Sequence, residues 1–292
     1  MQKNTIIVSG RNGQLGNALE ALTASDSANE YIFLGRSELD LSQPSSISRI
    51  FDQYKPSWFI NCAAYTAVDK AESDQENAYA INAEAVGAIA TLCEAHNTKL
   101  VHISTDYVFN GNGTSPYRVD EKTEPINYYG YSKWLGENLA LKNNPHSVII
   151  RTSWVYSDHG NNFVKTMLRL MKDRSEIRVV SDQIGCPTYA YDLAAAILKI
   201  VQETEAGNAH YGVYHFSNGG AISWCEFASA IRDEAGLHCR VQPIPTSDYP
   251  TPAKRPHYSV MDTQKIQNDF GVQIKPWRDS LKECLKKLII ES

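Results

Sequence analysis

The chain has 292 residues, 42% of them hydrophobic and 21% charged, with a net charge of −5. That length suits one large globular domain or two smaller ones, with a sizeable core. There is no Lys/Arg cluster to meet nucleic acid, and no run approaching the roughly 18–20 apolar residues of a membrane span.

The six cysteines are scattered, with no Cys-x-x-Cys pair. This argues against zinc ligation and a disulfide framework and favours free thiols in a reducing compartment. The N-terminal Met1-Gln2-Lys3-Asn4 leads directly into a strand pattern without a signal-peptide core, so a cytoplasmic location is expected.

Thr5–Val8 is a short β-branched run of the kind found in buried parallel strands. Gly10-Arg11-Asn12-Gly13-Gln14-Leu15-Gly16 follows, then an Ala/Leu-rich helical stretch to about Thr23. A glycine turn between strand and helix lets the backbone approach a pyrophosphate, whose charge rests on the helix N-terminus. The spacing is G-x-x-G-x-x-G, so dinucleotide binding rests on this flanking context.

A second strand, Tyr31–Leu34, ends at Gly35-Arg36. An acidic residue here would favour NADH; Arg36 can pair with a 2′-phosphate and favours NADPH, with NADH left open. Asp40 and Leu41 are placed to flank an adenine. A helix over Pro44–Tyr54 leads to strand Trp58–Asn61, which closes on the small residues Ala63 and Ala64, then Tyr65 and Thr66. Small side chains there would let phosphates and ribose lie against the backbone.

One long helix is expected from Gln75 to His96, with Ala78, Ile81, Ala85, Ile89 and Leu92 on its buried face. Strand Leu100–Ile103 delivers Thr105 and Asp106 to the carboxyl edge of a doubly wound sheet, where chemistry gathers.

A Gly/Asn/Pro-rich loop over 110–128 precedes a helix from Tyr129 to Leu141. Tyr129 and Lys133 are four apart and share a face of that helix. A phenol has an ordinary pKa near ~10; a neighbouring ammonium would lower it and make the phenol a usable acid. Strand Ser147–Arg151 ends before Trp154.

Beyond it the βα alternation loosens. Helices are expected over 161–172, 191–202, 223–235 and 277–290, with Ser223 an N-cap, and short strands at 177–180 and 214–216. Residues 243–256 read as a proline-rich loop carrying Arg255.

The glycine turn, Ser104-Thr105-Asp106-Tyr107-Val108-Phe109, Tyr129-Gly130-Tyr131-Ser132-Lys133 and Arg151-Thr152-Ser153-Trp154-Val155-Tyr156 occur in this order. So do Ala67-Val68-Asp69-Lys70-Ala71-Glu72 and Pro250-Thr251-Pro252-Ala253-Lys254-Arg255-Pro256. In these phrases the chain resembles the extended short-chain dehydrogenase/reductases and, within them, the dTDP-4-dehydrorhamnose reductase family.

The resemblance implies an α/β protein with a Rossmann-type doubly wound parallel sheet and a smaller C-terminal nucleotide-sugar domain. The expected division is 1–152 with about 189–217, and about 153–188 with 218–292. It implies reduction of a nucleotide-sugar C4 ketone by NAD(P)H, with Tyr129 the proton donor, Lys133 on the nicotinamide ribose and Thr105 on the C4 oxygen. Gly10, Asn12, Gly13, Gln14, Leu15 and Gly16 fall at cofactor positions, as do Arg36, Asp40, Leu41, Ala63, Ala64, Tyr65 and Thr66. Asp106, Trp154 and Arg255 fall at substrate positions.

Some relatives bridge a dimer through carboxylates and a divalent metal. The matching positions near Ala18 and Tyr191 carry no carboxylate, so no metal site is assigned and monomer and homodimer both stay open. A 4,6-dehydratase would carry Glu where Tyr107 stands. A 4-epimerase, a reductase giving another deoxysugar, and a non-catalytic NADP-binding protein of the same fold are the remaining alternatives.

Overall fold

The computed structural model describes residues 3–290, so the last two residues of the expected second domain lie outside it. Six strands form one parallel sheet, in the spatial order Gly212–His215, Ser147–Thr152, Lys99–Thr105, Trp58–Asn61, Asn4–Ser9, Asn29–Leu34. Every neighbouring pair runs parallel, with Ser9 opposite Asn61, Asn61 opposite His102, and Thr105 opposite Thr152. The carboxyl ends of all six strands therefore share one edge. The chain winds one way from Asn4–Ser9 to Asn29–Leu34 and the other way to Trp58–Asn61. A crevice opens at such a reversal, and this is the Rossmann-type arrangement expected.

Both faces of the sheet are covered. On one, helices Gln14–Thr23 and Ala190–Glu205 pack Leu15, Leu19, Leu193 and Ile197 against Ile6, Val8 and Ile60. On the other, Ile47, Phe51, Val86, Ile89 and Ala140 cover Ile7, Phe59, Leu100 and Ile149. Burial on both faces is why these strands read as apolar runs.

A separate core joins Tyr156, Val164, Met167, Ile177, Tyr189, Phe227, Ile231 and Leu281. Residues within the expected second domain divide between the cores: Ile266, Phe270 and Val272 pack against the central sheet.

The stretch expected as one helix from Gln75 to His96 is interrupted. It runs α-helical over Gln75–Tyr79 and Ala85–Ala95, with a π segment over Ala80–Glu84 between. The buried Asn82 sits in that segment. Its Oδ1 accepts from the Tyr65 N–H at 2.9 Å, and its Nδ2 donates to the Tyr65 carbonyl and to Ser132 Oγ, both at 3.0 Å. The widened turn brings these bonds between the segment after strand Trp58–Asn61 and the helix that carries Ser132.

Among the described residues, further elements escaped the sequence pattern, and two of them have five residues or more. Arg240–Ile244 is a strand parallel to Glu176–Val180 and takes in Pro243, from which the expected loop began. Gln264–Phe270 is a short helix ended by Gly271 at φ +66°.

Candidate active site

The carboxyl edge of the sheet opens into a cleft of about 660 Å³, within the range of small-molecule sites. Its first wall is the glycine turn. Gly10 has φ +78°, and a Cβ there would stand 2.9 Å from the Ala63 nitrogen. At Gly16 a Cβ would stand 2.2 Å from the Gly10 carbonyl oxygen. The turn thus closes because these side chains are absent. The helix beginning at Gln14 has no acidic residue in its first turn, so its N-terminus faces the cleft without a competing negative charge.

Asn12, Gly13, Leu15, Arg36, Asp40, Leu41, Ala63, Ala64 and Thr66 line the cleft as expected from sequence. The Arg36 side chain is 80% exposed and lies 4.0 Å from Asp40, so its guanidinium is free to meet an anion. Asp40 Oδ1 accepts from the Ser42 N–H and hydroxyl, which hold the carboxyl below its ordinary range.

Gln14 also lines the cleft, but its side chain bonds the other lobe. Nε2 donates to the Val155 carbonyl at 3.2 Å and Oε1 accepts from Asn162 Nδ2 at 2.9 Å.

The opposite wall carries Thr105, Asp106, Tyr129, Lys133 and Trp154. Thr105 and Asp106 sit where strand Lys99–Thr105 ends. Tyr129 and Lys133 enter on helix Tyr128–Asn143, whose start Asn127 caps by accepting from the Gly130 N–H at 2.8 Å. Gly130 lets this helix approach closely, since a Cβ there would stand 2.2 Å from the Tyr107 carbonyl oxygen. The Thr105 hydroxyl is in hydrogen-bond contact with Tyr129 and donates to Asp106 Oδ1 at 3.0 Å. Asp106 Oδ2 is buried without a hydrogen-bond partner of good geometry among the described residues.

Burial dominates the electrostatics. It pushes the Tyr129 phenol up to about 12, opposed by the Thr105 hydrogen bond. The phenol is thus not acidified as the i,i+4 spacing suggested. Lys133 Nζ instead donates to the Ile103 carbonyl at 2.6 Å and lies 3.3 Å from His102 Nε2. Burial brings the Lys133 ammonium down to about 8, although Glu137 and Cys62 favour its charge. Burial and the Lys133 charge keep His102 well below 6.5 and neutral. Burial also raises Asp106 to about 6, against the opposing pull of the Ser259 and Thr105 hydroxyls.

Beneath Tyr129 and Lys133 lies a polar layer that sequence reasoning missed. Glu137 and Arg151 form a buried fork, Nη2 to Oε2 at 2.7 Å and Nε to Oε1 at 2.9 Å, and Ser104 Oγ donates to the same carboxylate at 2.5 Å. Asn61 joins Ser9 and His102 at 2.7 and 3.1 Å. Glu137 could have been found, because it lies four residues beyond Lys133 on the same helix.

Two expected residues do not line the cleft. Tyr65 turns its hydroxyl to Asp74 at 3.0 Å while Asn82 binds its backbone. Arg255 donates to Asp69 Oδ2 at 2.9 Å, so its charge is matched by a carboxylate rather than presented to the cleft. Among the described residues no group of three or more His, Cys, Asp or Glu side chains is placed to hold a metal, and no helix is long and apolar enough to cross a membrane.

A family model described as the RmlD substrate binding domain matches residues 4–290. The chain belongs to this family. It is 42% identical to dTDP-4-dehydrorhamnose reductase of Aggregatibacter actinomycetemcomitans, over 95% of this chain and 97% of that protein.

A crystal structure of a dTDP-4-dehydrorhamnose reductase from Clostridium acetobutylicum superposes with a TM-score of 0.93 at 38% identity, covering 98% of this chain and 99% of that one. The Bacillus anthracis dTDP-4-dehydrorhamnose reductase, crystallised in complex with NADP, gives 0.92 at 38% identity over the whole of both chains. The family match thus spans both the glycine turn and the residues of the second core.

Proposed function

We propose that the protein uses NADPH to reduce the C4 ketone of dTDP-4-dehydro-6-deoxy-L-mannose (dTDP-4-dehydro-β-L-rhamnose), giving dTDP-L-rhamnose, the last step of dTDP-rhamnose synthesis. The observation that carries this reading is one cleft walled on one side by the glycine turn and on the other by Thr105, Tyr129 and Lys133.

The dinucleotide fits the first wall. Gly10, Gly13 and the helix start at Gln14, Leu15 and Gly16 would hold its pyrophosphate. Arg36 would pair with a 2′-phosphate, Asp40 and Leu41 would flank the adenine, and Ala63, Ala64 and Thr66 would lie along its length. When bound, the reduced nicotinamide supplies the hydride. Acceptance of NADH as well is compatible with the single exposed Arg36.

The chain's own groups handle the proton. With a pKa of about 12, the Tyr129 phenol keeps its proton throughout the neutral range. An alkoxide forming at C4 is a far stronger base than a phenolate, so the proton moves to it without a prior drop in the phenol's pKa. Thr105, in contact with Tyr129, would turn its one hydroxyl proton from Asp106 to the same oxygen as negative charge develops there. Lys133, fixed on the Ile103 carbonyl, presents its ammonium to the ribose and adds positive potential to the site. Asp106 accepts from sugar hydroxyls through the oxygen that has no well-aligned partner among the described residues, and Trp154 forms the wall beside it.

The proposed lobes are 1–152 with about 189–217 for the cofactor, and about 153–188 with 218–292 for the nucleotide sugar. The proposed setting is the cytoplasm, as a monomer or homodimer.

The test is NADPH oxidation with this keto-sugar by the wild type and Tyr129→Phe. A fall in kcat of about 10²–10⁴-fold in the variant is expected. Equal rates in both proteins would remove Tyr129 from the chemistry, and absence of turnover in both would favour a binding protein of the same fold.

A further inference from the structure

Three described non-glycine residues have positive φ: Lys55, Asn97 and Trp154. Lys55 caps a helix and Asn97 follows one, common places for left-handed backbone. Trp154 does neither. It sits at φ +48° two residues after the end of strand Ser147–Thr152 and lines the cleft. A bulky side chain in that conformation is unfavourable and persists only where its surroundings over-determine it.

The surroundings do so from two sides. Along the backbone, the Ser153 hydroxyl donates to the Cys186 carbonyl at 2.7 Å, and the Trp154 carbonyl accepts from the Thr188 N–H at 3.2 Å. Around the side chain, the indole stacks on Trp224 with centroids 3.5 Å apart and planes 10° apart. It also lies against Gly185, where a Cβ would stand 2.7 Å from Trp154 Cε2.

Both supports belong to one small unit. Ile222–Ser223 pairs antiparallel with Ile184–Gly185. Trp224 is the first residue of the helix that Ser223 and Glu226 fix with a capping box. Phe163 lies against Trp224 at 4.6 Å and stacks on Phe227 at 5.7 Å, tying the pair into the second core.

We propose that Trp224 and Gly185 are positioning residues: they hold the Trp154 indole in a strained pose, as a preformed wall for the nucleotide sugar. This rests on the reading of the cleft given above. Neither residue lines the cleft; Trp224 reaches it through Trp154, and Gly185 lies against both Trp154 and Ser259. Loss of the stack frees an indole that must then be ordered on binding, which weakens sugar binding by up to about tenfold. The glycine wall is untouched, so cofactor binding is not expected to change.

Closely stacked indoles couple their electronic transitions and give paired bands of opposite sign in circular dichroism. The experiment records that signal in the free wild type, Trp224→Leu and Trp224→Phe, with KM for the keto-sugar and the dissociation constant for NADPH. The expected result is a couplet in the wild type that Trp224→Leu loses, with keto-sugar KM raised and NADPH binding and kcat unchanged. Trp224→Phe, which keeps a stacking ring, should restore KM but not the couplet.

A wild type without the couplet, an unchanged KM in Trp224→Leu, or an equal loss of NADPH binding would overturn the proposal. If Trp224→Leu fails to fold, Trp224→Phe and Gly185→Ala decide it. Gly185→Ala should displace the indole, altering the couplet and raising KM; no change in either would overturn the proposal. A couplet in a wild type that turns over no keto-sugar would refute the substrate assignment but support the stack.

Discussion

Replacing Asp106 by asparagine should make the protein more stable at neutral pH and a poorer enzyme. Asp106 is 2% exposed, and one of its oxygens has no hydrogen-bond partner of good geometry among the described residues. Its carboxyl is raised from 3.8 to about 6, chiefly by burial. A carboxyl with a raised folded-state pKa favours the fold below its unfolded pKa, and that benefit is lost as pH rises through the folded value.

At about 1.36 kcal/mol per pH unit, the gap of roughly two units amounts to about 3 kcal/mol. That penalty is nearly complete at pH 7 and small by pH 4. The asparagine amide keeps the shape and the acceptor for Thr105 without the charge. Asp106→Asn should therefore gain up to about 3 kcal/mol at pH 7 and close to nothing at pH 4. Urea unfolding of both proteins at pH 4, 5, 6 and 7 measures this, and other groups cancel in the difference. A difference that does not vary with pH, or a parent more stable than the variant at pH 7, would refute the reasoning.

The profile of kcat/KM against pH should fall below about 6, where Asp106 becomes protonated, and above about 8, where Lys133 loses its charge. Asp106→Asn should remove the acid limb only. Glu137→Gln leaves the buried Arg151 guanidinium without its carboxylate; a loss of about 3–5 kcal/mol is expected in denaturant unfolding. Gly16→Ala sets a Cβ against the Gly10 carbonyl. It should cost about 1–3 kcal/mol of stability, and NADPH titration by fluorescence should show weakened binding.

The proposed reacting groups were legible because their placement follows from local rules. Thr105 and Asp106 sit at the end of a strand, and Tyr129 and Lys133 are one helical turn apart. The glycine turn was legible for the same reason. What those residues do to one another was not. The phenol's high pKa comes from burial by several segments, and Lys133 is directed by a carbonyl 30 residues away in sequence.

Arg255 finds Asp69 across 186 residues, a pairing no spacing could suggest. Ala78, Ala85 and Ile89 are buried on both sides of the π segment at Ala80–Glu84, so their pattern gave no warning of it. Strand Arg240–Ile244 was obscured by Pro243, a residue that argues against a central strand but is tolerated at an edge.

In the proposed reaction hydride reaches the sugar's C4 while Tyr129 protonates the oxygen. Turnover of the keto-sugar with NADPH deuterated at the transferable C4 position, followed by NMR of the product, tests this most directly. Deuterium at sugar C4 in a product of L-rhamno configuration is the predicted result. Deuterium kept by the cofactor, found elsewhere on the ring, or present in a sugar of another configuration would contradict it.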